Sequence, residues 1–363
     1  MEQGVRFEIF IDPNNWRSLE EHIHRMDDEM AQDVAAVSDQ DRLLREQLRA
    51  KLLDEYDVRT VSSEKKEWAA ETLFSGDVCS VDGTRSIQPL LAGARCRIGV
   101  VSVSYRGHRT ESVLFVSEQQ INPPEANPLD VLRRRGAERA VVSSMVAGAI
   151  MTYMERAIAL QRPESWRILN GPLVPYELRT GLGALQALEP CLTLAGRIIE
   201  ATTIAGVIGT SAYPDLASVG FALEPGEYVC MNSLAHDLRE YLEGSPDNGA
   251  GARSAAKFSD RDRQRFRRFI DQFGNQVEIG IMRAGARPYV FQAHHGVFHD
   301  VAALLMVDAS FQPLRAYPLL VDYADSLCTR IFAGGDFRRQ MEMKLAKAGV
   351  FETELPEQLF RRR

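Results

Sequence analysis

From about Asn15 to Asp57, apolar residues recur at helical spacing within dense charge, as at Met26, Met30, Val34, Val37 and Leu43, and no proline falls between Trp16 and Gln88. The pattern predicts one or two long amphipathic helices, either an arm packing on the core or on a second subunit, or an arm that docks a partner. After Asp82 the period shortens. The runs Arg97–Tyr105 and Glu111–Val116 are rich in β-formers, and Arg106-Gly107-His108-Arg109 between them predicts an antiparallel hairpin. Beyond the proline-broken stretch Asn122–Pro128, helical spacing returns from about Leu129 to Leu160. Trp166–Leu173 reads as a short strand stopped by Gly171-Pro172. A helical stretch around Leu182 to Ile199 and a strand at Thr202 to Ile208 then predict a βαβ unit with parallel pairing. Gly244–Arg253 is small, polar and glycine-rich, a flexible surface loop by composition. Two more strands are expected at Val277–Arg283 and Pro288–Ala293. A late helix follows, with Leu320, Ala324, Leu327, Cys328 and Ile331 on its apolar stripe.

These elements predict an α/β protein: a helical arm over residues 1–70, an α/β domain over 71–335 with a flexible loop near 244–256, and a helical tail over 336–363. A chain of 363 residues is long enough for two domains, or for one large domain with additions.

Composition narrows the functions open to the chain. Hydrophobic content of 45% and charged content of 26% are ordinary for a globular protein. The five cysteines, Cys79, Cys96, Cys191, Cys230 and Cys328, form no C-x-x-C pair, so buried free thiols are expected rather than a zinc knuckle or disulfides. A formal net charge of −7 argues against a surface that grips nucleic acid all over, so any DNA contact should be local or shared with a partner. No uncharged run reaches membrane-spanning length, and the N-terminal MEQGVRFEIF lacks a basic region followed by an apolar one. A cytoplasmic protein without membrane contact is the expectation.

The candidate chemistry lies in the order of a few polar residues. Asp82 in Val81-Asp82-Gly83-Thr84-Arg85 is an isolated carboxylate at a strand-to-turn junction, with an alternating apolar strand after it. Glu155 is the only acid between Glu138 and Glu164, and Ala140 to Met154 carries no charge at all. A carboxylate in so apolar a helix is costly unless it is paired or binds a metal, and Arg156 or Arg162 would be the pairing partner. Asn170 closes the second strand, and Asp325 projects from the flank of the late helix, with Asp322 pointing further outward. Phosphodiester cleavage with Mg²⁺ or Mn²⁺ needs several hard oxygen donors around one or two ions. Asp82, Glu155, Asn170 and Asp325 follow the order strand, helix after the hairpin, neighbouring strand, late helix, which predicts a ribonuclease H-like mixed sheet flanked by helices.

The chain resembles the NurA nuclease family, prokaryotic enzymes of DNA-end processing that work with HerA-type hexameric ATPases. The resemblance runs from about Phe74 to Ile331. It rests on Val81-Asp82-Gly83-Thr84, Met154-Glu155-Arg156-Ala157, Leu169-Asn170-Gly171-Pro172-Leu173 and Ala316-Tyr317-Pro318 with Leu319 to Leu327. It implies a homodimeric, Mn²⁺- or Mg²⁺-dependent nuclease acting on DNA in repair or defence. Asp82, Glu155, Asn170, Asp325 and Tyr317 would be its catalytic residues, and Asp82, Glu155 and Asp325 its metal ligands. Two positions depart from the family pattern. Asn170 stands where an aspartate is usual, and Asp325 where a histidine is usual.

Basic residues placed to meet DNA are Arg85, Arg133 and Arg134, with Arg265 and Arg268 in the phenylalanine-interleaved run Arg261–Phe269, which a helix with a solvated basic face explains equally well. His295 and His299 have i,i+4 spacing but no acid partner, and read as ordinary polar histidines rather than a zinc site. No P-loop sequence occurs. Two functions remain: a divalent-metal DNA nuclease, and a nuclease-fold adaptor subunit of a hexameric DNA-translocating ATPase that has lost strong metal binding. Asn170 favours the second; Asp82, Glu155 and Asp325 favour the first.

Overall fold

In the computed structural model of the chain, the described residues are 12–16, 18–88, 94–117, 137–181, 187–209, 213–243, 258–332 and 334–349. The glycine-rich loop at 244–256 and the arginines Arg133 and Arg134 lie outside them, as does the start of the helix expected from Leu129. Chain contacts divide the molecule into two units, Met1–Glu55 and Tyr56–Arg363.

The first unit is one long helix, α1 (Leu19–Glu55), preceded by a short turn at Pro13–Asn15. Pairs such as Asp41 with Arg45 and Lys51 with Glu55 follow its surface at i,i+4 spacing.

The second unit is built on a nine-stranded sheet. Its strands are β1 (Arg59–Thr60), β2 (Val78–Gln88), β3 (Arg95–Ser104), β4 (Arg109–Ser117), β5 (Trp166–Asn170), β6 (Ile204–Ile208), β7 (Glu227–Ser233), β8 (Val277–Arg283) and β9 (Pro288–His294). The spatial order is β1-β7-β8-β9-β6-β5-β2-β3-β4. Strand β2 pairs antiparallel with β3 and parallel with β5, and β5 pairs parallel with β6. Together with the antiparallel β3–β4 hairpin, these five strands have the arrangement of a ribonuclease H-like core. The remaining four extend it antiparallel from β6.

Successive residues of a strand point to opposite faces, and both faces here are covered. Val78, Val101 and Ile168 pack under α2 (Ser63–Phe74), α9 (Phe298–Ser310) and α10 (Leu319–Ile331). Cys79, Val81 and Leu169 pack against α3 (Ala137–Gln161), α5 (Leu188–Glu200), α7 (Leu234–Glu243) and α8 (Asp260–Phe273). Between those helices come two short ones, α4 (Tyr176–Arg179) and α6 (Pro214–Gly220), and the chain ends its described part with α11 (Gly334–Lys347). All five cysteines are free thiols, four of them buried. Among the described residues, no helix is long and apolar enough to cross a membrane.

Local sequence explains the ends that matter for the site. The parallel ladder of β2 with β5 stops at Val81↔Leu169, because β5 ends at Asn170 and Gly171 turns the chain away with φ of +108°, a conformation open to glycine. Strand β2 runs on to Gln88, held only by β3, so a notch opens at Asp82 and Gly83 where β5 has left the sheet. Helix α10 starts at Pro318, and its first turn is held by Asp308, whose Oδ2 accepts from the N–H of Leu320 at 3.0 Å.

Candidate active site

Asp82 lies in the notch and is almost wholly buried, at 5% exposure. Its Oδ2 has no hydrogen-bond partner among the described residues. Glu155 reaches the same place from α3 and is 4% exposed. A Cβ on Gly83 would fall 2.5 Å from Oε1 of Glu155, so the absence of a side chain there lets the carboxylate settle on the strand. The Gly83 amide favours the charged form of both carboxylates. Two acids far apart in the chain therefore both lie beside Gly83.

Their meeting is electrostatically unfavourable as it stands. Burial pushes the Asp82 carboxyl up to about 8, with the charges of Glu155 and then Asp325 adding to it, while Asn170 and the Gly83 amide pull the other way. Burial likewise pushes Glu155 up to about 7, against the opposing effect of Arg156 and with a further rise from Glu177. Desolvation and like charge both favour the protonated form.

Glu155 pairs with the adjacent Arg156, through Oε2 to Nη1. Of the two pairing partners expected for the isolated helix acid, Arg156 is the one engaged, while Arg162 pairs with Glu164. Arg156 is 1% exposed and also donates to the carbonyls of Thr152 at 3.3 Å and Pro172 at 2.6 Å.

Asn170 closes β5 at the far side of the notch. Its Oδ1 accepts from the hydroxyl of Tyr317 at 3.0 Å, and its amide favours the charged form of Asp82. Tyr317 has its pKa raised by burial first and the charge of Asp82 second, so it stays a donor at neutral pH. Asp325 is solvent-exposed on α10, yet its charge is felt at Asp82. Asp322 is the more enclosed of the two α10 acids, because it pairs with Arg315 at 2.7 Å; the outward direction expected for it belongs to Asp325.

The five residues Asp82, Glu155, Asn170, Tyr317 and Asp325 are therefore gathered around the notch. Two others at the site carry no separate signal in the sequence: Glu177 on α4, through its charge on Glu155, and Arg156 in its reach to Pro172.

The basic candidates are dispersed by comparison. Arg85, three residues along β2 from Asp82, is exposed and lays its guanidinium against α3 at Gly148, where a Cβ would collide with it. Arg265 pairs with Glu189 at 2.8 Å, while Arg268 is exposed on the same helix, whose Phe266 and Phe269 are buried in the core instead of lying open to bases. His299 hydrogen-bonds Arg59 and Tyr228, and His295 stacks on His294.

The donor set suits a hard divalent cation. It offers carboxylate oxygens, one of them buried and unmatched, in a place where excess negative charge is already felt. Among the described residues, no three Asp, Glu, His or Cys side chains form a ready-made cage. In the notch, one Glu155 oxygen is engaged by Arg156, the third position is an uncharged amide, and Asp325 is exposed.

No protein-family model matches the sequence, and no curated protein matches it. Solved structures do. The fold is similar to that of the NurA nuclease from Sulfolobus solfataricus, with a TM-score of 0.52 and 11% identity over 92% of this chain and 99% of that one. A second NurA crystal structure matches with a TM-score of 0.50 and 10% identity, covering 88% and 97% of the two chains. At such identities the likeness is one of fold: the chain shares the α/β architecture of these structures.

Proposed function

We propose that the chain is a divalent-metal-dependent DNA nuclease whose site is the notch at Asp82. The observation that carries this reading is the placement of buried Glu155 against Gly83, next to buried Asp82 on the same strand as that glycine, with an unmatched oxygen on Asp82. A buried carboxylate pair costs stability, and the cost is offset where a cation is bound.

Asp82, Glu155 through Oε1, and Asp325 would hold Mn²⁺ or Mg²⁺. When bound, such an ion supplies Lewis-acid activation of water and neutralises charge on the leaving oxygen. The protein's own residues contribute the rest. Asp82 and Glu155 concentrate negative charge beside Gly83; Asn170 favours the charged form of Asp82 without adding charge. Tyr317 holds Asn170 in place and leaves a hydroxyl beside the carboxylates. Arg85 and Arg268, both exposed, are placed to meet phosphates, as are Arg133 and Arg134 by sequence. With a net charge of −7, DNA binding shared with a homodimer mate and a HerA-type hexameric ATPase suits this surface.

A second reading is favoured by two specific observations, the amide at Asn170 and the Glu155–Arg156 pair: a nuclease-fold adaptor with weak metal affinity, serving a DNA-translocating ATPase ring. One experiment separates the two. Purified protein, alone and mixed with its ATPase partner, is incubated with linear single- and double-stranded DNA and Mn²⁺, beside the Asp82→Ala variant. Degradation that Asp82→Ala abolishes supports the nuclease; intact DNA in every mixture leaves the adaptor.

A further inference from the structure

Arg156 divides the two oxygens of Glu155 between two tasks. Its Nη1 takes Oε2, while Oε1 is the atom that rests on the backbone at Gly83, where an added Cβ would meet it at 2.5 Å. The guanidinium is itself anchored from outside the pair. Nη2 donates to Pro172 at 2.6 Å and Nη1 also reaches Thr152 at 3.3 Å, in a site that leaves the side chain 1% exposed.

This contact is not a by-product of helix geometry. Adjacent residues on a helix point about 100° apart and do not face one another, so Arg156 must curl back to reach Glu155. What holds it curled is the carbonyl of Pro172, in the turn that follows Asn170. The planar fork of an arginine can serve a carboxylate and two carbonyls together; a lysine, with one nitrogen, cannot hold that spread. Nor does a buried ion pair explain itself by stability, since the desolvation of two charges cancels much of their attraction.

We propose that Arg156 is a positioning residue: by holding Glu155 through one oxygen and Pro172 through its backbone, it aims the other Glu155 oxygen at Asp82 and fixes the turn that carries Asn170. The inference rests on the metal-binding reading above and assigns a role within it.

Calorimetric titration with Mn²⁺ tests it on the full chain, comparing the parent with Arg156→Met, Arg156→Lys and a Leu73→Ala control, each checked for native circular dichroism. Leu73, on the buried face of α2, lies in a core cluster that does not include Glu155, and its truncation lowers stability without touching that residue. Arg156→Met is expected to bind Mn²⁺ at least about tenfold more weakly, as loss of a residue that orients a ligand does, with Arg156→Lys between it and the parent. Leu73→Ala should bind as the parent does despite its lower melting temperature. Parent-like or tighter binding by Arg156→Met overturns the inference, because Arg156 would then be a structural filler or a competitor for Glu155. If Arg156→Met does not fold, parent-like binding by Arg156→Lys overturns it instead. A parent that binds no Mn²⁺ removes the proposed function and this inference together, whereas a parent that binds while the arginine variants are unaffected removes the inference alone.

Discussion

The hydroxyl of Tyr317 donates to Oδ1 of Asn170 at 3.0 Å, tying the entry of α10 to the last residue of β5. Asn170 also favours the charged form of Asp82 while carrying no charge itself. An aspartate there would accept from Tyr317 equally well but would bring its own charge.

Asn170→Asp is therefore expected to act in opposite directions with and without metal. In the metal-free protein a third carboxylate joins two that already repel, and stability should fall by about 1–3 kcal/mol. With saturating Mn²⁺ the added charge becomes an asset, and the melting temperature should recover to the parent's or beyond it. Thermal unfolding with and without Mn²⁺ checks this; an equal loss in both conditions would show that Asn170 does not belong to the ion's surroundings.

The raised carboxyls set the direction of the pH dependence. Asp82 moves from an ordinary 3.8 to about 8, so the folded protein holds that proton more tightly than the unfolded chain. The resulting stabilisation is complete below the unfolded value and is lost as pH rises through the folded one. Metal-free stability should decline between about pH 4 and pH 8 by a few kcal/mol, Glu155 acting in the same sense up to about 7. Asp82→Asn should flatten the slope, and Mn²⁺ should bind more tightly as pH rises because it competes with the same protons. Urea unfolding at a series of pH values is the measurement, and stability that rises over this interval in the parent but not in Asp82→Asn contradicts the assignment.

Gly83→Ala probes the close approach of α3 to β2. Its Cβ would lie 2.5 Å from Oε1 of Glu155 and 2.7 Å from Cγ of Met151, both on a packed helix. Overpacking of this kind costs about 1–3 kcal/mol, and here it would also displace the carboxylate. A lower urea midpoint together with weakened Mn²⁺ binding is expected; weakened stability with unchanged binding would mean that Glu155 is not a ligand.

Asp308 is a support of α10 rather than part of the chemistry. It is fully buried, accepts from Tyr105 and from the N–H of Leu320, and is pushed up to about 6 by burial against the effect of both bonds. Asp308→Ala strands a buried N–H and a half-buried hydroxyl and should cost about 2–4 kcal/mol in urea unfolding, whereas Asp308→Asn, which keeps one acceptor, should cost less. Equal losses for the two variants would place the cost in packing instead of hydrogen bonding.

Much of this arrangement is legible in the sequence because local patterns and sterics dictate it. The β3–β4 hairpin follows from two β-rich runs around Arg106-Gly107, and β5 ends where Asn170-Gly171-Pro172 must end it. Glu155 stands out because a lone acid in an apolar helix demands a reason, and Asp82 because it sits isolated at a strand-to-turn junction, whereas Asn170 and Asp325 follow from the order of elements and Tyr317 only from the family resemblance. Other features leave little trace. The two-residue strand β1 and its partner β7 join the sheet only through pairing with distant strands. The basic, phenylalanine-interleaved run at Arg261–Phe269 could serve bases or core by pattern alone, and packing on α7 and β8 buries its rings in the core.

The amino-acid order by itself determined the elements, the central strands and the identity of the polar residues, since these depend on periodicity, turn chemistry and the cost of burying charge. Only the tertiary structure decided how the acids meet. That β5 leaves the sheet one residue beyond its last pairing with β2, that Gly83 lies open beneath Glu155, and that Arg156 turns back toward Pro172 are all consequences of register and long-range packing. Such contacts arise between residues far apart in the chain, where no local pattern constrains them.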